Sequence, residues 1–212
     1  VNAVLGGPGS GKTSFLLQFL WNGATKFNEN GLFISFEPDI VELFKDAVVF
    51  GWDFEKLDRE GKCKFMKVSP ETSPAVLKEE LVKVVSRFNI KRICFDPISL
   101  FAANVESEIK ERQAIFELTS LLKRLDVTVL ISDEITIGES EEVISGSDVK
   151  SQYIKFLTDC LVDLYSSGLG GVSDRAVRIA KMRRTNHIRG PIPMQITDNG
   201  IVVLSQNAGA GI

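Results

Sequence analysis

At 212 residues, with 44% apolar and 25% charged side chains, the chain has the make-up of a globular protein with one sizeable core, which excludes a disordered or fibrous one. Lys and Arg number 25 against 28 Asp and Glu, a formal charge of -3, so no global positive field draws it to nucleic acid or anionic lipid. No apolar stretch approaches the ~20 residues that span a bilayer, and Cys63, Cys94 and Cys160, odd in number and without metal-ligand spacing, read as buried reduced thiols of a cytoplasmic protein.

Short apolar runs alternate with longer segments of helical period, the pattern of an α/β domain with helices on both faces of a mostly parallel sheet. The chain opens abruptly on the strand Val1 to Leu5, as though residues preceded it, and one domain is expected over 1–212. A glycine-rich run, Gly6 to Thr13, follows and leads into a helix from about Thr13 to Ala24. Next come a strand, Leu32 to Phe36, and a helix, Asp39 to Phe50. A capped helix, Pro74 to Phe88 behind Ser73, precedes the strand Arg92 to Phe95. A helix from Ser107 to Leu125 then feeds the strand Val127 to Ser132. After about Asp159 the pattern changes to strands at Cys160 to Tyr165, Arg175 to Arg184, Met194 to Thr197 and Ile201 to Leu204, an antiparallel C-terminal part. Thr136 to Asp148 and Ser166 to Asp174 read as loops.

The run Gly6, Gly7, Pro8, Gly9, Ser10, Gly11, Lys12, Thr13 fits G-x-x-x-x-G-K-[ST] in full, between a strand and a helix as a phosphate loop requires. Its glycines let backbone N–H groups curl inward, and the helix N-terminus adds partial positive charge where phosphates would sit. Lys12 is expected to reach the β and γ phosphates of ATP, the Thr13 hydroxyl to ligate Mg2+, and Ser14 to complete the binding segment. The alternative is a glycine-rich turn with a fortuitous lysine.

Ligands of open parallel sheets bind beyond the carboxyl ends of the strands, where this chain places Glu37, Asp96, Ser132, Asp133 and Glu134. Asp96, after Ile93-Cys94-Phe95, reads as the second Mg2+ ligand, or else as an Asp-Pro turn. Glu37 reads as the carboxylate that polarises the attacking water, or else as an acid at a helix start.

Taken together, the phosphate loop, FISFEPD (Phe33 to Asp39), FGWD (Phe50 to Asp53), CFDPISLF (Cys94 to Phe101) and KMRRTNHIRG (Lys181 to Gly190) resemble the KaiC-like ATPases of the RecA superfamily, over essentially the whole chain. That family carries K-M-R-G-T-x-H where this chain has the last of these motifs, followed by a turn and strand like Ile196 to Ile201. Along a strand, Lys181, Arg183, Thr185 and His187 would share one face, with Met182 and Arg184 on the other. The bland alternative is a solvated basic edge. The resemblance implies a RecA-like P-loop fold, an ATPase with ATP and Mg2+ as cofactors, and a homo-oligomeric ring, usually a hexamer. In such a ring Lys181 and Arg183 would approach the γ phosphate held by a neighbour, and Thr185 and His187 its nucleotide.

Two departures qualify the likeness. The family places two adjacent glutamates where this chain has Glu37 and Pro38, which points to slow hydrolysis or to a site that binds and switches rather than turns over rapidly; and with the clock member's T-D pair matched to Thr158-Asp159, the positions of its phosphorylated Ser and Thr are Lys155 and Phe156, without hydroxyls. A single phosphate loop implies a single-domain relative. The residues thus point first to a ring ATPase regulating an unidentified protein partner in a nucleotide-dependent way. A DNA-dependent recombination ATPase, less favoured by the acidity, and an ATP-binding signalling module or autokinase with little turnover remain alternatives.

Overall fold

The structure, a computed structural model, describes residues 1–69, 71–101, 107–134, 148–168 and 174–204. Strands are β1 (Asn2–Gly6), β2 (Asn30–Ser35), β3 (Cys63–Lys67), β4 (Ile90–Asp96), β5 (Thr128–Glu134), β6 (Cys160–Ser166), β7 (Arg175–Met182), β8 (Ile192–Thr197) and β9 (Gly200–Val203). Helices are α1 (Lys12–Lys26), α2 (Ile40–Val48), α3 (Phe54–Arg59), α4 (Pro74–Arg87), α5 (Glu108–Arg124) and α6 (Asp148–Leu157). They build a nine-stranded sheet in the order β3-β2-β4-β5-β1-β6-β7-β8-β9. Pairing is parallel from β3 through β6 and antiparallel from β6 onward. The expected antiparallel part therefore begins one strand later than the sequence pattern implied, because β6 runs parallel to β1 on one edge and antiparallel to β7 on the other.

The central strands read as unbroken apolar runs because both faces are covered. Side chains alternate between two cores: Ala3, Leu5, Leu32, Ile34, Ile93, Phe95, Val129 and Ile131 meet α4, α5 and α6. Between them Val4, Phe33, Cys94 and Leu130 meet α1, α2 and α3. Leu16, Leu17 and Leu20 give α1 one fully apolar stripe against the second core. The three thiols are buried and free, as expected.

Helix starts carry their caps: the Asp39 carboxylate accepts from the Val41 N–H, Asp53 from Lys56 and Ser73 from Val76. Asp39 is therefore occupied in starting α2. Three elements differ from the sequence expectation. Strand β3, CKFMK, lies at the sheet edge, where Lys64 and Lys67 break the apolar run. Helix α3 is a six-residue segment too short to show a period. Helix α6 starts at Asp148, the last residue of an expected loop whose remainder, from 136 to 147, lies outside the described residues. The other expected loop is closed at its base by the Ser167 N–H donating to the Asp174 carbonyl, 2.8 Å, while 169–173 lie outside the described residues. No helix among the described residues is long and apolar enough to cross a membrane.

Candidate nucleotide site

Four strands that are consecutive in the sheet, β2-β4-β5-β1, end side by side, and their register brings the polar residues together. Gly6 pairs with Glu134 and Ser35 with Asp96, so the residues following β1 and β2 face the last residues of β5 and β4. Between them opens a cleft of about 670 Å³ lined by Pro8, Gly9, Gly11, Lys12, Thr13, Ser14, Glu37, Pro38, Asp96, Pro97, Glu134 and Ile196.

The loop from Gly6 to Gly11 is held by its own chemistry. The Lys12 ammonium donates to the carbonyls of Gly6 and Gly7, at 2.8 and 3.0 Å, drawing the loop into a ring around its amine. Gly11 precedes α1 at φ 97°, a left-handed conformation that a side chain disfavours, and a Cβ there would lie 3.0 Å from Ile196 Cδ1. With glycine in that position no side chain caps α1 and no acid lies in its first turn, so the N–H groups at this end of α1 are open to an anion. From β7, the Arg175 guanidinium reaches the Gly9 carbonyl at 3.4 Å.

Below the loop the Thr13 hydroxyl donates to Asp96 Oδ2 at 2.7 Å, and the Ser132 hydroxyl donates to Asp96 Oδ1. Asp96 is almost fully buried, yet both carboxylate oxygens are matched by donors. Among the described residues no group of three or more His, Cys, Asp or Glu is placed to hold a metal, so an ion at Thr13 and Asp96 would complete its shell with phosphate and water oxygens. One hydroxyl and one carboxylate suit Mg2+, a hard cation that takes few protein ligands.

Residues 1–208 match the family described as ATPase: KaiC. The chain belongs to the KaiC ATPase family. It is 32% identical over 97% of its length to the circadian clock oscillator protein KaiC of Nostoc sp., and 30% identical over 97% to that of Synechococcus elongatus. It spans 40% of the length of each of these relatives. The solved structure of a KaiC-like protein from Pyrococcus horikoshii superposes with a TM-score of 0.82 at 30% identity, covering 96% of this chain and 88% of that one. The RecA-like α/β fold expected from the sequence is thereby supported.

Of the residues singled out in the sequence, Pro8, Gly9, Gly11, Lys12, Thr13, Ser14, Glu37 and Asp96 come together in the cleft, whereas Gly6, Gly7 and Ser10 are not part of its lining. A Cβ on Gly6 would sit 2.5 Å from Ser10 Oγ and 2.6 Å from the Leu164 carbonyl, so that glycine serves the close approach of loop and β6. Glu134 is a lining carboxylate noted at its strand end but given no role; its carboxylate lies 3.8 Å from the Lys12 ammonium. Ser132, buried beside Asp96, belongs to no motif that would mark it in the sequence.

The FGWD segment and the Ile196 to Ile201 turn meet beside the cleft, which Ile196 helps to line. Trp52 of FGWD packs against Gly200 of the Ile196 to Ile201 turn, where a Cβ would lie 2.6 Å from its ring at a φ of 105°. Gln18 of α1 mimics a strand neighbour for β9, accepting from the Ile201 N–H at 2.6 Å and donating to its carbonyl at 3.0 Å. The hairpin thus docks on α1 and presses Ile196 against Gly11.

The expected single row of Lys181, Arg183, Thr185 and His187 does not form. Strand β7 ends at Met182, and Arg184, at φ 61° in the place where the KaiC family motif carries glycine, turns the chain away. Lys181 instead donates to the carbonyls of Lys155 and Thr158, each at 2.7 Å, and Arg183 donates to the carbonyl of Phe156 at 3.0 Å. Both cations thus serve the C-terminal end of α6, where free carbonyls and the helix dipole favour positive charge. Partial burial there, with the Arg183 charge beside it, pushes the Lys181 ammonium below its usual pKa. The Thr185 hydroxyl reaches the Arg183 carbonyl at 3.5 Å and His187 Nδ1 lies 3.3 Å from the Thr185 carbonyl, both within the turn. None of the four lines the cleft.

Proposed function

We propose that residues 1–212 form a single Mg2+-dependent ATPase domain that binds ATP in this cleft, hydrolyses it slowly, and acts as a nucleotide-dependent regulator in a ring of identical subunits. The observation that carries the reading is the Thr13 hydroxyl on the Asp96 carboxylate at 2.7 Å, directly below the loop that Lys12 closes. In this reading the loop amides and Lys12 orient the triphosphate, and Thr13 and Asp96 hold Mg2+, which supplies charge neutralisation to the phosphates. Glu37, facing the cleft from the end of β2, orients and deprotonates the attacking water. Pro38 stands where the family has a second glutamate, so one carboxylate does this work and turnover is slow.

Charge supports a contribution from a neighbour. Among the described residues lining the cleft, Lys12 is the one cation against Glu37, Asp96 and Glu134. A triphosphate adds further negative charge, which Mg2+ offsets in part. Lys181 and Arg183 of an adjacent subunit, with Thr185 and His187 beside them, would supply the remainder, as in the hexameric rings that the family resemblance implies.

Lys12→Ala tests the site: loss of ATP affinity in a titration is expected, and unchanged affinity would refute it. Sizing chromatography with and without Mg-ATP tests the ring. Assembly on Mg-ATP, lost in Lys181→Ala and Arg183→Ala, is expected; indifference to nucleotide and to both substitutions refutes it.

A further inference from the structure

The segment that carries Glu37 across the mouth of the cleft is gripped from behind by a side chain outside the cleft lining. The Lys67 ammonium, at the end of β3, donates to three successive carbonyls, those of Phe36 at 3.3 Å, Glu37 at 2.6 Å and Pro38 at 3.1 Å. The Pro38 carbonyl also accepts from the Ser35 hydroxyl at 2.6 Å, and the Phe36 N–H donates to the Asp96 carbonyl at 3.0 Å. Proline brings no N–H at position 38, so a backbone ladder cannot hold the segment at that residue. Three carbonyls turned to one side concentrate partial negative charge, and an ammonium, with three donors and no acceptor, matches all three.

We propose that Lys67 is a positioning residue for the reaction: it fixes the Phe36 to Pro38 backbone so that the Glu37 side chain stays aimed into the cleft. This rests on the reading of Glu37 as the residue that prepares the attacking water. Lys67 touches carbonyl oxygens of the segment and does not line the cleft, so it acts through Glu37 and leaves nucleotide affinity to the loop, Thr13 and Asp96. It also lies on the exposed end of an edge strand, where its removal leaves the core packing intact.

The test compares steady-state ATPase kinetics and binding of a fluorescent ADP analogue in wild type, Lys67→Met, Glu37→Gln and the double variant. Loss of aim of about 1 Å lowers kcat of Lys67→Met by about tenfold to about a hundredfold, with KM and analogue affinity within about twofold. The double variant is no slower than Glu37→Gln, since the lysine acts only through that carboxylate. Rescue completes it: Lys67→Cys alkylated with 2-bromoethylamine, bromide leaving, restores an ammonium at nearly the same reach and returns most of kcat. The reagent is directed to position 67 because Cys63, Cys94 and Cys160 are buried and burial raises the pKa of each thiol.

If Glu37→Gln is slow while Lys67→Met turns over within about twofold of wild type, the inference falls and the role of Glu37 stands. If Glu37→Gln matches wild type, the reading beneath the inference falls, and the inference with it. Parallel loss of analogue affinity and thermal stability in Lys67→Met, with no recovery on alkylation, assigns Lys67 to structure alone and likewise overturns the proposal.

Discussion

Replacing Ser132 by alanine isolates the hydrogen bond that holds Asp96 from the side opposite Thr13. Ser132 is fully buried at the sheet position next to Asp96, and its hydroxyl donates to Asp96 Oδ1, with the Phe95 carbonyl a further acceptor at 3.3 Å. Deleting one oxygen leaves a space too small for a cavity term, so the cost is that of a buried carboxylate oxygen losing its donor. A hydrogen bond to a charged group contributes about 1.5–3 kcal/mol, and we expect a loss of about 2 kcal/mol. For a domain of this size about 2 kcal/mol lowers Tm by about 4–8 °C. Urea unfolding read through Trp21 and Trp52 fluorescence measures it, with an unchanged denaturant slope showing that stability alone has moved. Saturating Mg-ATP raises the stability of any variant that still binds it, so the apo comparison is the decisive one. A loss below about 0.5 kcal/mol would show that Asp96 does not depend on this donor and refute the account of how the carboxylate is held.

Arg184 sits at φ 61°, a region costing an ordinary residue about 1–2 kcal/mol, part of which glycine returns as unfolded-state entropy, so Arg184→Gly is expected to stabilise by about 0.5–1 kcal/mol in the same urea assay. Burial raises the folded-state pKa of Cys63 and Cys94, while in the unfolded chain both titrate near about 8.5. Stability from these thiols is therefore complete below about pH 8.5 and declines above it by about 1.4 kcal/mol per pH unit for each, a slope that Cys63→Ala and Cys94→Ala each reduce. Lys181→Ala releases the carbonyls of Lys155 and Thr158, and amide exchange at Thr158, whose N–H bonds Ile154 at 3.1 Å, should quicken well before global unfolding does.

What the sequence made legible is what local chemistry dictates. Strands buried on both faces must be apolar throughout, so β1, β2, β4 and β5 were visible as runs, and a lysine and threonine at the fixed step after glycines placed the loop. Asp96 was legible as a candidate because it ends an apolar strand in a chain with a complete phosphate loop; by itself it reads equally well as an Asp-Pro turn. Strand β3 was not, because an edge strand exposes one side and carries lysines there. Lys67 was illegible for a deeper reason: its partners are carbonyls 29 to 31 residues earlier, and backbone acceptors leave no mark on sequence. The row from Lys181 to His187 misled because a period-2 argument assumes an extended backbone, and the left-handed turn falls on an arginine rather than a glycine.

That turn bears on how a ring would work. Lys181 and Arg183 already hold carbonyls at the end of α6, so cations offered to a neighbour's nucleotide must either keep those partners or leave them. The home partners are carbonyl dipoles and, for Arg183, the Asp159 carboxylate at 3.5 Å, which the N-terminal ammonium and Lys123 also share, whereas a triphosphate in a cleft that already holds three carboxylates against one lysine presents several full charges together. The balance therefore favours the nucleotide when a neighbour brings it close, and the α6 carbonyls when it does not. Under the ring reading the end of α6 is then the element that registers occupancy of the adjoining site: protected while Lys181 and Arg183 stay home, and frayed once Mg-ATP draws them across. Exchange at Thr158 in wild-type protein should accordingly rise on addition of Mg-ATP at concentrations that permit assembly and stay constant at dilutions that do not. A rise that is independent of protein concentration would place the coupling within one subunit and remove the neighbour from the argument.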